Sequence, residues 1–419
     1  MNPTLFPHFL AFLLTGGLLA FPGSCLDLIL RDFGWSPATF GLAMMLQGGA
    51  SFVGSRFASS RCGGEHYRTW TARSLWFLAM GVVLYYFADW TTLPLLRMLG
   101  VSEAAHTIVR LVGISCIGFG IGTNGIFNNA AALCSGNPSF GLNLLNMGFT
   151  AGAVLLPFST SQYLKFADVS NPLLWRLPAA VLVLAYGVLS AYVLRSPHLS
   201  QPPPVQAAHD DISDKFLPLP VIAASLVLFC YVGSEINLSN SLGMMSESLF
   251  GFSNEASRVA SSFFWGGLLG ARLFFTFRSP RVKSYPRIMS VLSGCCLVLF
   301  LAFFLGWFPR NEMALIASRI LVLALGLCIG GMYSLALGSL TIFFDSVHRS
   351  RHFANLTVLS GVAGAVLLPF TYGQLSNGFG LQKSTWFIVF LLVGMLTGAS
   401  LLVMASLRHR SLSSPAGSR

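Results

Sequence analysis

Five charged side chains stand in stretches of sequence that offer them almost no water. Glu235 lies in the apolar run 217–243, about four residues, or roughly 6 Å, from its mid-point. No Lys or Arg stands one turn away on the same run. An acid in such a place fits a proton relay or a substrate contact. The plainer alternative is a carboxyl held by a neighbouring helix for structure. Asp27 has Arg31 four residues on, a spacing that lets the two pair on one helix face. That pair fits either an interfacial ion pair or a second coupling acid. Arg110 and Arg319 each sit about eight residues, or roughly 12 Å, from the centre of their runs. Two guanidinium forks suit an anionic substrate or a partner such as Glu235 or Asp27; long side chains near helix ends also snorkel to headgroups. Arg272, towards the end of its run, fits a cytoplasmic gate or a snorkelling role better than substrate contact.

Neutral polar residues accompany these charges. Arg110, Ile117, Ile121, Asn124 and Asn128 fall on one helical stripe. Asn143, Asn146 and Thr150 share a face, as do Tyr231 and Glu235, while Gln47 is near the middle of its run and Asn237 follows Glu235 by two. Amides both donate and accept, which suits hydroxyl-rich neutral ligands. They also join helices to one another inside membranes. Gln47, Asn124, Asn128, Asn146, Tyr231, Glu235 and Asn237 are the candidate substrate contacts.

The elements that must carry these residues follow from composition. Of 419 residues, 54% are hydrophobic and only 9% charged, against about a quarter charged in an ordinary soluble domain. Such a chain reads as a polytopic membrane protein, all α, with lipid as its main solvent. Twelve runs have membrane-crossing length: 5–30, 37–58, 72–90, 104–132, 138–166 and 172–195, then 217–243, 254–277, 286–307, 313–343, 352–376 and 383–407. The first is too long and too free of basic residues for a cleaved leader and reads as a span. Residues 201–215, QPPPVQAAHDDISDK, read as a hydrophilic linker. The expected organisation is a six-helix half over 1–196, a cytoplasmic linker over 197–216, a second half over 217–408 and a tail over 409–419.

Fifteen Lys and Arg fall on the linker side of the runs and seven on the other. This bias places linker and both termini in the cytoplasm. It also accounts for the net +11 through anionic headgroups, without nucleic acid. The eight cysteines show no metal or CxxC spacing and read as packing residues. The Asn-x-Ser/Thr matches at Asn237 and Asn355 fall inside apolar runs, where no glycan could sit. No nucleotide-binding loop, metal cluster or catalytic triad stands out, so no cofactor and no enzyme activity is expected.

The octapeptide AGAVLLPF occurs at 151–158 and again at 363–370, an offset of 212. The same offset carries Asn143 onto Asn355, Gln162 onto Gln374, and Cys116-Ile117-Gly118 onto Cys328-Ile329-Gly330. One register over two successive spans marks parallel repeats, the organisation of a two-halved transporter. Ala-Gly-Ala permits close helix approach, and Pro157 and Pro369 interrupt the hydrogen-bond ladder below it. The octapeptide therefore reads as a packing seam. Repeated residues such as Asn143 and Gln162 go with the scaffold, and unrepeated ones carry the chemistry.

Several segments resemble the major facilitator superfamily, and within it the fucose/galactose/glucose:proton symporter branch with its sodium-dependent glucose transporter-like relatives. FGLNLLNMGFTAGAVLLPF (140–158) is similar to the branch's fifth-span signature, FCYVGSEINLSNSL (229–242) to its seventh-span YxGxE motif, and FFWGGLLGARLF (263–274) to its eighth-span run. AFPGSCLDLILRDFGWSPATFGLAMMLQGG (20–49) resembles its first-to-second-span region. Two positions depart from the pattern. GSRFASSRCGGEHYR, from Gly54, lacks an acid near its start, and Asn237, Ser239 and Asn240 stand where a bulky aromatic is usual. The resemblance implies a twelve-helix rocker-switch carrier, a monomer, with a proton or Na⁺ as coupling ion and a central site for a sugar or similar solute. Glu235 and Asp27 are then the coupling acids. An organic-anion carrier using Arg110 and Arg319, and an amphiphile or drug exporter, are the alternatives. A bacterial inner membrane is the expected location.

Overall fold

The computed structural model describes residues 5–61, 66–89, 104–133, 138–196, 218–278, 284–305, 312–340, 342–344 and 347–413. Residues 197–217, which include the whole expected linker, lie outside these residues with Cys62 and Cys134, as do the side chains of Asn143 and Asn355. Every regular element among them is a helix. The first half comprises α1 (Phe6–Ala20), α2 (Pro22–Phe33), α3 (Pro37–Ser59), α4 (Tyr67–Tyr86), α5 (Ala104–Leu133), α6 (Pro138–Tyr163), α7 (Pro172–Trp175) and α8 (Leu177–Arg195). The second comprises α9 (Leu219–Phe250), α10 (Asn254–Arg258), α11 (Ala260–Arg278), α12 (Tyr285–Phe304), α13 (Glu312–Ile329), α14 (Met332–Leu340), α15 (Val347–Phe379) and α16 (Leu381–Ser413).

Among the described residues, eight helical stretches are long and apolar enough to cross a membrane, or nine when the bent pair α1–α2 counts as one. The helices α3, α4 and α11 have 23, 20 and 19 residues, long enough at 1.5 Å each but more polar. With them, all twelve expected runs are helical. Two are broken. The first turns by 48° at Phe21, where Pro22 has no N–H to continue the ladder and Cys25 leaves helical geometry. The tenth breaks between α13 and α14 at Gly330-Gly331.

Lipid replaces water as the outer solvent, so the exposed faces are as apolar as the interior. On α8, Val181, Leu184, Val188 and Tyr192 form an exposed stripe at helical spacing. Inside, two large apolar cores form, one per half. The buried members of one come from the first half, with Met244 packed against it; the other is the second half's, joined by Ala20 and Ala153 with Phe149 and Val154 packed against it.

The repeated octapeptide makes the same joint in each half. A Cβ on Gly152 of α6 would overlap the Leu13 carbonyl of α1, and one on Gly364 of α15 would overlap the Phe229 carbonyl of α9. The second repeated patch behaves alike: Gly118 of α5 lies against the Gln47 backbone of α3, and Gly330 against Leu268 of α11. Small residues here let backbones touch, which is how helices associate without a hydrophobic driving force. A further repeat is visible only in the fold. Gly34-Trp35-Ser36 ends α2 and starts α3, and Gly251-Phe252-Ser253 ends α9 and starts α10. Both glycines have left-handed backbone, with φ of 63° and 67°. Both serines cap the next helix, accepting from Thr39 N at 3.2 Å and Ala256 N at 3.3 Å.

Gly152→Val forces α1 and α6 apart and is expected to cost at least about 1–3 kcal/mol. Gly187→Ala, where nothing lies within 4 Å of the new methyl, is expected to be neutral or slightly stabilising. Thermal unfolding of the purified variants in detergent checks the pair; equal midpoints would remove the seam's role.

Candidate functional site

Span seven, α9, presents two polar faces. Tyr231, Glu235 and Ser239 recur every four residues and face α11. Arg272 of α11 meets Glu235 there, with Nη2 3.6 Å from Oε1. The Tyr231 hydroxyl is within hydrogen-bonding reach of both. Arg272 also donates from Nη1 to Thr150 Oγ1 of α6 at 2.6 Å, and Thr150 in turn donates to the Asn146 carbonyl at 2.8 Å. A chain of polar contacts therefore runs from Glu235 in the second half to α6 in the first. One turn away, Trp265 of α11 donates to Ser239 at 2.9 Å and packs edge-on against Phe149 of α6. The aromatic missing after Glu235 on α9 is thus supplied by α11. Arg272 is not the cytoplasmic gate expected for it: α11 carries it to mid-bundle, where it neutralises the acid whose own helix lacks a partner.

The other face of α9, with Asn237, Asn240, Ser241 and Met244, looks towards α2, α3 and α15 across a small, partly enclosed cavity. Asn237 therefore does not join Glu235 at one site. Gln47 is buried on α3, where its backbone touches Gly118. Asn146 is exposed on α6, one turn from Thr150.

The halves also meet at the end away from the linker. Arg258 of α10 donates to Asp27 of α2 at 2.7 Å, and Lys165 lies 3.3 Å from Glu255. Beneath them Gly41 of α3 lies against Pro369 and Gly373 of α15, and Gly23 of α2 against the Ser239 backbone. Asp27 therefore does not pair with Arg31 as the spacing predicts. Arg31 turns instead to Asp32 at 2.7 Å and to the Val169 carbonyl, leaving Asp27 to the opposite half.

The fold has counterparts among solved structures. A D-xylose–proton symporter aligns over 95% of this chain and 96% of its own, with a TM-score of 0.73 and 12% identity. The nucleoside transporter NupG aligns over 95% and 98%, with a TM-score of 0.69 and 13% identity. A bacterial homologue of the human lysosomal transporter Spinster, captured inward-facing and occupied, aligns over 99% and 98%, with a TM-score of 0.66 and 14% identity. The chain has the major facilitator fold. No protein-family model matches the sequence, and no curated protein matches it.

Within this fold, three expected contacts turn out to be scaffold. Arg110 donates to Asp89 at 2.6 Å and lies 4.0 Å over the Phe33 ring. Arg176 shares the same carboxylate at 2.8 Å and donates to the Tyr86 carbonyl. Trp175 donates to Asp32 beside them. Asp89 thus ties spans three, four and six together, and Arg110 is not free to hold a substrate anion. Arg319 lies apart, 5.6 Å over Phe263, so the two arginines form no pair of forks. Asn124 donates to Thr15 at 3.1 Å, and Asn128 meets His8 at 2.6 Å, joining α5 to α1. Sequence spacing put Arg110, Asn124 and Asn128 on one stripe; that stripe faces α1 and the far-end knot, not the space between the halves. Conversely, Trp265 and the partnership of Arg272 with Glu235 were missed, although Trp265 lies in the quoted FFWGG run. The cysteines are free where described; Cys25, Cys230, Cys296 and Cys328 are buried, but Cys295 is exposed, a departure from the packing role.

Partial burial opposes ionisation of Asp89, but its hydrogen bond to Arg176 and the charges of Arg110 and Arg176 outweigh this and hold its carboxyl below the usual range. A depressed native value contributes stability above the unfolded-state pKa, near about 3.9. That contribution is lost as pH falls through the native value. Asp89→Asn leaves the buried Arg110 guanidinium without its anion and Arg176 with the more distant Asp32, 3.9 Å away. About a third of Asp89 is exposed, so the cost is expected at roughly 1–3 kcal/mol, below that of a fully buried pair. The variant should also show a flatter fall of thermal midpoint at acid pH than the parent; a parallel fall would assign that pH dependence elsewhere.

Proposed function

We propose that this protein is a secondary transporter that moves a sugar or similar small neutral polar solute by alternating access, coupled to protons through Glu235. One observation carries the reading: a mid-bundle carboxylate paired with Arg272, which is itself held by Thr150 of the other half. The fold is shared with a D-xylose–proton symporter and a nucleoside transporter, both carriers of hydroxyl-rich solutes by their names. Glu235 and Arg272 together carry no net charge, which favours a neutral solute over an anion. The halves 1–196 and 217–408 act as the two moving bodies, joined by the linker 197–216.

The coupling follows from the pair. Ionised, Glu235 holds Arg272 towards α9. Protonated, it loses the ionic part of that contact, and the balance of Arg272's contacts shifts towards Thr150 and α6. A proton therefore changes the interaction between the halves, and only such a differential interaction shifts a conformational equilibrium. Asp27 acts in the gate, as the partner of Arg258, instead of as a coupling acid. With the linker in the cytoplasm, the ion-paired end is the outer one and the described state faces inward. On this reading the chain works as a monomer in a bacterial inner membrane.

In proteoliposomes with an imposed proton gradient, Glu235→Gln is expected to abolish uphill accumulation of the transported member of a pentose, hexose and polyol panel, while counterflow persists. Uphill accumulation by that variant would overturn the coupling role. Thr150→Val removes a hydrogen bond to a charged group and is expected to lower gradient-driven uptake on the order of tenfold. Thr150→Ser should restore it.

A further inference from the structure

Behind the coupling pair, on the opposite face of α9, lies a partly enclosed cavity of about 80 Å³ between the two halves. Its walls are mostly apolar: Phe40 and Met44 of α3, Met244 of α9 and Pro369 of α15. Polar side chains break that surface: Ser241 of α9, Tyr372 and Ser376 of α15, and two amides. Asn237 and Asn240 are 3% and 8% exposed, yet Asn237 Nδ2 and Asn240 Oδ1 have no partner within the protein. The Asn240 amide nitrogen finds only the Met44 sulfur, at 3.8 Å, a weak acceptor. One donor and one acceptor, three residues apart on one helix face, are thus presented to a partly enclosed, largely apolar space. Buried amides are normally satisfied, so their joint lack of partners points to an occupant.

We propose that this cavity is a second binding site, at the gated end, for a compact neutral polyol of two or three carbons. The volume matches about three waters, which excludes a pyranose in this state. The chemistry separates a polyol from water. Vicinal hydroxyls satisfy the donor of Asn237 and the acceptor of Asn240, while C–H groups lie against the Met and Phe walls, contacts that water cannot use. The site differs from the Glu235 site in face and in depth. It shares α2, α3 and α9 with the gate, so Asp27–Arg258 must part before the site can open outward. The proposal rests on the cavity and its amides and not on proton coupling.

The test uses the full chain in lipid nanodiscs, with glycerol as probe and saturation-transfer NMR as readout. Saturable transfer to glycerol is expected in the parent. Asn240→Leu, which removes one hydrogen bond, is expected to weaken it about fivefold. Met44→Phe, which shrinks the cavity and keeps both amides, should weaken it as well and decides the matter where Asn240→Leu folds poorly. Gly187→Ala on α8, outside the cavity lining, should leave it unchanged. Absence of saturable transfer in the parent would show a cavity filled by water only and overturn the proposal. Equal transfer in the parent and both cavity variants would overturn it too.

Discussion

An ion placed inside an apolar bundle must find its counter-ion there, because neither lipid nor core will solvate it. Much of this architecture follows from where those pairings are made. At the far end they are tight: Asp89 lies within 2.8 Å of both Arg110 and Arg176, and Asp27 within 2.7 Å of Arg258. In the middle, Glu235 and Arg272 stand 3.6 Å apart, beyond ordinary hydrogen-bond length. The shorter contact of Arg272 is to the neutral hydroxyl of Thr150. The central charge pair is therefore the looser one, and a change in its charge state perturbs the contact between halves more easily than it perturbs either half.

That difference depends on each half being rigid. The Gly152–Leu13 and Gly364–Phe229 contacts are backbone on backbone, with no side chain to yield. The Asp89 knot adds three spans of the first half to one anion. Within a half, then, contacts are steric and charge-locked. Between halves they are ion pairs near the surface, small-residue crossings such as Gly41 on Gly373, and the polar chain through Arg272. Two stiff bodies with a breakable interface are what a rocking motion requires.

How far the sequence could show this depends on the type of contact. The seams were legible because they need particular residues at a fixed offset, and 212 residues separate both copies of two patches. The helix-end repeat at Gly34 and Gly251 escaped because its offset is 217, so one sliding register passes over it. Span existence was legible from apolar length. Ion pairing was not. Asp27 has a cation four residues away and chose one 231 residues away. Glu235 has none on its helix and found Arg272 on the next. Helical spacing states which residues share a face; it does not state which helix that face meets. The stripe through Arg110, Asn124 and Asn128 was a real stripe, assigned to the wrong neighbour.

The two faces of α9 sharpen the point. Residues at 231, 235 and 239 meet α11, while those at 237, 240, 241 and 244 meet α2, α3 and α15. One helix thus borders the charge pair on one side and the inter-half cavity on the other. Any rotation or tilt of α9 that relieves Glu235 of Arg272 also changes the spacing across the cavity. The broken first span strengthens the link. Its bend at Phe21 brings Gly23 against the Ser239 backbone, so α2 and α9 share a contact without side-chain cushioning. A shift that begins at Glu235 reaches the Asp27–Arg258 pair through backbone, one turn later on each helix, and the fold needs no longer path between its centre and its gate.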